Sequence, residues 1–317
     1  MTDIDTWEWF GRRTHHYSQF EPAKLRAAKE RLGLTVSVCL PTRDEAATVG
    51  KIVRALRKSL LERSRLIDEI VVMDAGSVDD TVVIALAEGA RVFHEQDVLP
   101  EVGPGSGKGE ALWKSLHACQ GDVICWIDAD ISNFHPRFVY GLLGPLLMDP
   151  QVLYVKAFYE RPIREHNALR STGGGRVTEL VARPLLNLLW PQLAGIVQPL
   201  SGEYAGRRVA LEQVPFSSGY GVELGLLVDL AERFGMDAIA QVDLGQRDHS
   251  HQDLFDLGLM ATQIVGMMSR RLGTGPAGDD VEMRQYIPID GSTKVVDRSV
   301  SLLERPPVRD ISGGMVA

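Results

Sequence analysis

A chain of 317 residues is long enough for one large domain with appendages and short for three. Its hydrophobic share of 44% and charged share of 24% are ordinary globular values, which excludes disorder over the whole length. With 34 Lys and Arg against 42 Asp and Glu the net charge is -8, so a broad basic face for nucleic acid is not expected, whereas a local basic pocket remains open.

Residues 1–33 read as a polar leader whose Trp7, Trp9 and Phe10 are candidates to pack on the sheet domain. The start, MTDIDTWEWF, carries acids where a signal peptide needs a basic and then an apolar region. From Leu34 short β-branched runs alternate with amphipathic segments. TVSVCLP (35–41) is a buried strand ended by Pro41, and Val49, Ile52, Val53, Leu56 and Leu60 give the segment 45–63 helical spacing. EIVVMD (69–74), ARVFHE (90–95) and DVICWID (122–128) are further strands, with helices at 81–89 and 109–119 between them. This alternation predicts an α/β domain with a mostly parallel, Rossmann-like sheet covered on both faces.

After Pro150 the pattern weakens. VLYVKAFYE reads as a strand, STGGGR as a turn, 177–190 as a helix, QPLSGEYAGRR as a strand–turn element, and GVELGLLVDLAERFG as a helix. DAIAQVDL (237–244) is a late strand, and LFDLGLMATQIVGMMSRRLG is a long amphipathic helix whose Met260, Met267 and Met268 suit a core. From Thr274 onward there is little periodicity. The most apolar stretch, LVARPLLNLLWPQLAGIVQPL, is broken by Arg183, Pro184, Asn187 and Pro191. A mid-bilayer arginine costs roughly 2.5–3.5 kcal/mol on an insertion scale, so no membrane span is expected. Three cysteines, at 39, 119 and 125, suit neither a disulfide framework nor a zinc site and fit reduced thiols in the cytoplasm.

The residues with chemistry gather at strand ends, where a doubly wound sheet binds its ligands. Pro41-Thr42-Arg43-Asp44-Glu45 follows the first strand, Asp74-Ala75-Gly76-Ser77 the second, and Asp128-Ala129-Asp130 the fourth. Each group alone can serve as a helix cap or turn. Asp128 and Asp130, two residues apart as a strand ends, can both reach one hard cation such as Mg²⁺ or Mn²⁺. Such a cation neutralises charge on a departing diphosphate. Gly173-Gly174-Gly175-Arg176 precedes a helix, and a glycine turn there exposes N–H donors to an anion, with Arg176 and Thr178 as further donors; a flexible turn with a solvated arginine is the plainer alternative. The stretch GPGSGKGE is not a phosphate-binding P-loop: Val102 stands where its first glycine belongs, Gly109 follows Lys108, and no buried strand precedes it.

The succession LPTRDEAATVG, VVMDAGSVDDT, GKGEALWKSL and GDVICWIDAD resembles nucleotide-sugar glycosyltransferases of the GT-A fold. More narrowly, GGGRVTELVARPLL, QPLSGEYAGRR, VPFSSGYGVELGLLVD and DAIAQVDLGQRDH are similar to the retaining glucosyl-3-phosphoglycerate synthase family, over about residues 34–270. Two departures are visible: Asp44 where the family usually has Asn, and Asp-Ala-Asp for Asp-Ser-Asp. The first puts a further negative charge close to the nucleotide.

The resemblance implies that Pro41, Thr42 and Glu45 line the nucleoside pocket, followed by Asp74 and Ser77, with Lys108 near the diphosphate. It implies that Asp128 and Asp130 bind nucleotide and divalent cation (Mg²⁺ or Mn²⁺), with His249 as a further metal ligand. It assigns Gly175, Arg176 and Thr178 to the phosphoglycerate, and Tyr220, Glu223, Arg247 and His251 to the acceptor and the transferred sugar. Glu223, Asp130 and Arg247 are the expected catalytic residues. The expected reaction moves glucose from UDP-glucose to the 2-hydroxyl of 3-phosphoglycerate. A GDP-mannose or GDP-glucose donor, a sugar-phosphate nucleotidyltransferase and a non-catalytic sensor are the alternatives. The expected organisation is a leader (1–33), a nucleotide-sugar half (34–150), an acceptor half (151–272) and a tail (273–317), in a cytoplasmic homodimer without nucleic-acid or membrane partners.

Overall fold

The computed structural model describes residues 6–105, 107–160, 163–165, 168–170, 175–248 and 254–311. In chain order its strands are β1 (Thr14–His16), β2 (Val36–Thr42), β3 (Glu69–Asp74), β4 (Arg91–His94), β5 (Val123–Trp126), β6 (Tyr154–Glu160), β7 (Ile163–Glu165), β8 (Ala168–Arg170), β9 (Tyr204–Arg207), β10 (Phe216–Ser217), β11 (Ile239–Gln246), β12 (Asp280–Ile289), β13 (Ser292–Ser301) and β14 (Glu304–Arg305). Its α-helices are α1 (Thr6–Arg13), α2 (Pro22–Leu32), α3 (Val49–Leu56), α4 (Thr81–Ala87), α5 (Lys108–Ala118), α6 (Arg137–Met148), α7 (Arg183–Leu189), α8 (Arg208–Leu211), α9 (Val222–Phe234) and α10 (Leu254–Arg271).

Eight strands form one sheet in the order β1-β11-β6-β9-β5-β2-β3-β4. All neighbours are parallel except β9, which runs antiparallel between β5 and β6. Both faces are covered, and the strands show it by alternation. Val36, Val38 and Leu40 face one core with Val123, Cys125 and Ile127, while Cys39, Ile124 and Trp126 face the other. The GT-A-like α/β fold expected from the sequence is the fold observed.

Several local readings change. The helix expected over 45–63 starts at Val49 and widens into a π-helical turn over Arg57–Arg63, and the helix after Gly175 likewise passes through a π turn (Thr178–Ala182). Residues 14–16 of the leader form the edge strand β1, paired with β11 through Thr14 and Gln241. Trp9 is fully buried and its indole N–H donates to the Met236 carbonyl at 2.8 Å, whereas Trp7 is exposed. The aperiodic tail folds as the long hairpin β12–β13, and β14 pairs with β10. Arg305 from that tail is buried and donates to both carboxylate oxygens of Glu110, at 2.7 and 2.9 Å.

Candidate active site

The ends of β2, β5 and β9, the starts of α5 and α9, and the middle of α10 enclose a cavity of about 630 Å³. That is the size of a small-molecule site. Glycine is required where backbone and side chain meet most closely: a Cβ at Gly202 would lie 1.8 Å from the Asp128 carboxylate, and one at Gly109 would lie 1.9 Å from the Ser217 carbonyl.

Asp128 and Asp130, placed by the end of β5, are held by two cations. Lys108, the first residue of α5, places Nζ 2.6 Å from Asp128 Oδ1 and 3.1 Å from Glu223 Oε1. Arg247, just beyond β11, places Nη2 2.7 Å from Asp130 Oδ1 and 3.2 Å from Asp128 Oδ2. Its Nε lies 2.9 Å from Oε1 of Glu203, a fully buried carboxylate that enters β9. Burial works against charge on Lys108 and Arg247, but the surrounding carboxylates outweigh it and hold both firmly protonated. The Asp130 carboxyl is pushed up, first by burial and then by the Asp128 charge. Glu45 is raised by burial and by Asp130.

The donor set fits a divalent cation: two carboxylates, hard oxygen ligands two positions apart at a strand end, repel each other and gain from a positive charge between them. Asp128 and Asp130 would hold it. Among the described residues no three His, Cys, Asp or Glu side chains converge as a metal site. The expected third ligand, His249, lies outside the described residues, as do His251, Gly173 and Gly174.

Pro41, Thr42, Glu45, Lys108, Asp128, Asp130, Gly175, Arg176, Thr178, Tyr220, Glu223 and Arg247 all line the one cavity. Asp74 and Ser77 do not. The buried Asp74 carboxylate turns back to accept from the N–H groups of Gly76 and Ser77 at 3.2 Å and lies 3.2 Å from His94 Nδ1. Ser77 Oγ accepts from the Asp44 N–H at 2.9 Å, and Ala75 takes the cavity position. This is the ordinary turn chemistry of Asp and Ser, written in the letters that also suggest ligands. Asp44, too, is diverted: its carboxylate accepts from the Val78 N–H at 2.8 Å, and the residue is not in the cavity lining.

Sequence reading missed Glu203, whose only mark is an acid just before an apolar strand, and the wall given by Leu257, Met260 and Gln263 of α10. Gln263 Oε1 accepts the Tyr220 N–H at 2.9 Å, which ties α10 to the loop before α9. Arg43 and Glu95 also line the cavity, and burial pushes the Glu95 carboxyl up to about 7.

A parallel sheet with one reversed strand, an acid pair at a strand end and one cleft that combines acids with cations define the site of a transferase acting on anionic donors. The family model described as Glycosyl transferase family 2 matches residues 37–213. The chain is 48% identical to the glucosyl-3-phosphoglycerate synthase of Petrotoga mobilis over 295 residues, covering 93% of this chain and 87% of that one. Among solved structures it is similar to glucosyl-3-phosphoglycerate synthase from Mycobacterium tuberculosis in complex with Mn²⁺, UDP and phosphoglyceric acid (44% identity, TM-score 0.83, 94% and 98% of the two chains). It is also similar to mannosyl-3-phosphoglycerate synthase from Rubrobacter xylanophilus (40% identity, TM-score 0.88, 98% and 99%). The chain belongs to glycosyl transferase family 2 and, within it, to the glucosyl-3-phosphoglycerate synthases.

Proposed function

We propose that this protein transfers glucose from UDP-glucose to the 2-hydroxyl of 3-phosphoglycerate, with Mg²⁺ or Mn²⁺ and with retention at the anomeric carbon. The observation that carries the reading is the meeting of donor and acceptor groups in one cavity. Pro41, Thr42, Glu45, Ala75, Lys108, Asp128 and Asp130 line it from the ends of β2, β3 and β5 and the start of α5, and Gly175, Arg176 and Thr178 line it from the segment before α7. Arg176 suits a phosphate through its planar donor pair, and Thr178 adds a hydroxyl. A divalent cation held by Asp128 and Asp130 would supply charge neutralisation of the leaving diphosphate.

The chain's own residues do the remainder. Lys108 is placed to exchange its carboxylate partners for the donor phosphates. Glu223, 4% exposed at the first turn of α9, faces the cavity and supports positive charge growing on the sugar. The acceptor hydroxyl approaches the face that the nucleotide leaves, and its proton passes to the leaving phosphate oxygen. Glu223 is thus an orienting and charge-stabilising group, not a nucleophile.

The second reading, transfer of mannose from a GDP-linked donor, is favoured by the TM-score of 0.88 to the Rubrobacter mannosyl enzyme. The protein incubated with a panel of nucleotide sugars, 3-phosphoglycerate and Mg²⁺ should give glucosyl-3-phosphoglycerate and UDP by mass. Mannosyl-3-phosphoglycerate as the principal product replaces this reading with the second; pyrophosphate release or no turnover with any donor refutes both.

We infer further that two copies associate through α10 and the β12–β13 hairpin, where Leu254, Val265, Tyr286, Ile289 and Val295 are exposed. Light scattering at the monomer mass refutes that. Three buried free cysteines and the absence of any described helix long and apolar enough to cross a membrane support work in the cytoplasm. The division into donor half (34–150) and acceptor half (151–272), flanked by 1–33 and 273–317, belongs to the same proposal.

A further inference from the structure

One side chain from the tail reaches the wall of the cavity, and the proposed transfer does not use it. Arg305 lies on β14, opposite Phe216 in the β10–β14 register, and the carbonyl of the next residue, Pro306, accepts the Trp113 indole N–H at 2.8 Å. With the backbone held on both sides, the buried guanidinium stands 5.4 Å from the centre of the Trp113 ring.

All three of its nitrogens find acceptors. Nε and Nη2 donate to the two carboxylate oxygens of Glu110, at 2.7 and 2.9 Å. Nη1 donates to the Val102 carbonyl and Nη2 to the Gly103 carbonyl, each at 2.9 Å. The rigid fork of an arginine can make four such bonds at once, which a lysine ammonium with three donors cannot.

The two carbonyls matter because their loop has no strand to pair with. The N–H groups of Val102 and Gly103 bond only within the turn, to the Leu99 and Pro100 carbonyls at 3.2 Å. Among the described residues, the hydrogen bonds that join 102–105 to other elements are those from Arg305. This loop supplies Gly105 to the cavity lining, and Lys108, the first residue of α5, follows it there.

The carboxylate that Arg305 holds also sets how close the loop comes. Glu110 is fully buried in the first turn of α5, and a Cβ at Gly105 would run into its carboxyl group. Its second cation is Lys114, 3.4 Å away, whose Nζ donates to the carbonyl of Glu95 at 2.9 Å. Glu95 lines the cavity as well. One buried carboxylate thus gathers two cations, and each cation also fixes the backbone of a segment that faces the cavity. Charge balance alone needs only the ion pairs; the bonds to three carbonyls go beyond it.

We propose that Arg305 is a positioning residue for the donor: through Glu110 and the Val102 and Gly103 carbonyls it sets the loop and the start of α5, from which Gly105 and Lys108 meet the nucleotide sugar. The inference rests on the proposed transfer, in which Lys108 turns to the donor phosphates. Leu99 and Val102 pack on the core whether or not the fork is present, so its loss shifts the loop rather than freeing it, and the effect falls on donor affinity.

Arg305→Met keeps an apolar stem over Trp113 and removes the fork. At a temperature where each variant is folded by circular dichroism, it should raise KM for UDP-glucose about tenfold and weaken UDP binding with Mn²⁺, by calorimetry, to the same extent. KM for 3-phosphoglycerate and kcat should move less than about threefold, the pattern of lost ground-state binding of one substrate. Arg305→Lys keeps a charge beside Glu110 without the fork to both carbonyls, so it should retain most of the rise. A loss spread over kcat and both KM values overturns the proposal, as does an unshifted KM for UDP-glucose or its full recovery in Arg305→Lys. Should Arg305→Met not fold, Gly105→Ala, whose methyl group meets the carboxylate that Arg305 holds, should give the same selective rise, and a normal KM for UDP-glucose there overturns the proposal. Wild-type protein that makes no glucosyl-3-phosphoglycerate overturns the reaction and the proposal with it; wild-type turnover beside an unshifted Arg305→Met overturns the arginine's role alone.

Discussion

Arg247→Met is the substitution with the largest expected effect on both folding and turnover, and the two effects can be separated. Arg247 is 2% exposed and serves three carboxylates: Nε faces the fully buried Glu203 at 2.9 Å, and Nη2 faces Asp130 and Asp128 at 2.7 and 3.2 Å. Methionine fills much of the volume but leaves Glu203 without its cation. Removing one partner of a buried ion pair costs about 3–5 kcal/mol. For a large domain about 2 °C is lost per kcal/mol, so the melting temperature should fall by roughly 6–10 °C. Glu203→Gln alone also breaks the pair. In the double variant the buried uncompensated charge is gone, so the two losses should not add, with a coupling of about 1.5–3 kcal/mol by urea denaturation.

Activity should not follow stability back. The double variant still lacks the guanidinium between Asp128 and Asp130, so its turnover should stay near that of Arg247→Met. Losses that add within about 0.5 kcal/mol would show that Glu203 and Arg247 are not an energetic pair, and the reasoning would fail. Recovery of turnover together with stability would sink the second half of the argument, since the arginine would then act only through Glu203.

Other outcomes rest on the same cavity. Glu223→Gln should lower kcat by at least about 10²-fold with UDP binding intact, as for loss of a group aimed at transition-state charge; near-normal turnover contradicts its role. Arg176→Ala should raise KM for 3-phosphoglycerate by about 10- to 100-fold, the worth of one charge-assisted hydrogen bond, and an effect confined to UDP-glucose counts against the acceptor assignment. Asp130→Asn should abolish the rise in melting temperature that Mn²⁺ gives together with UDP; an undiminished rise means that the cation sits elsewhere. Burial raises Glu95 from 4.5 to about 7, so its contribution to stability is fully present below 4.5 and is lost as pH rises through about 7. Glu95→Gln should therefore flatten the stability profile across that window, and an unchanged slope refutes the assignment.

Much of the fold was legible because its strands are buried on both faces. VSVCL, IVVM and VICW are near-continuous apolar runs, and only a covered parallel sheet gives such runs use. The β12–β13 hairpin escaped notice for the converse reason. Its residues are mostly exposed, and the alternation of Val281, Met283 and Ile287 on β12 is interrupted by Gln285, the buried polar residue of that face. β1 was hidden because three residues at a sheet edge carry too little pattern to read.

In the site, Asp128, Asp130 and Lys108 were legible because their chemistry is local, an acid pair at a strand end and a lysine at a helix start. Asp74 and Ser77 lie outside the cavity lining because a carboxylate near a strand end can equally fold back on its own turn. Glu203 was invisible because its meaning depends on register. Only the antiparallel insertion of β9 carries it against Arg247.

The net charge of -8 and two anionic substrates are reconciled by this layering. Two of the cavity cations are already engaged by carboxylates: Lys108 by Asp128 and Glu223, and Arg247 by Asp128, Asp130 and Glu203. An anionic donor arriving alone must break those contacts and strand buried carboxylates. Arriving with a divalent cation, which Asp128 and Asp130 would hold, it would leave those carboxylates matched and Lys108 available to its phosphates. Donor and cation should therefore bind with mutual help, each weak without the other. On the proposed transfer, the acidic surroundings favour an anion that brings its own cation.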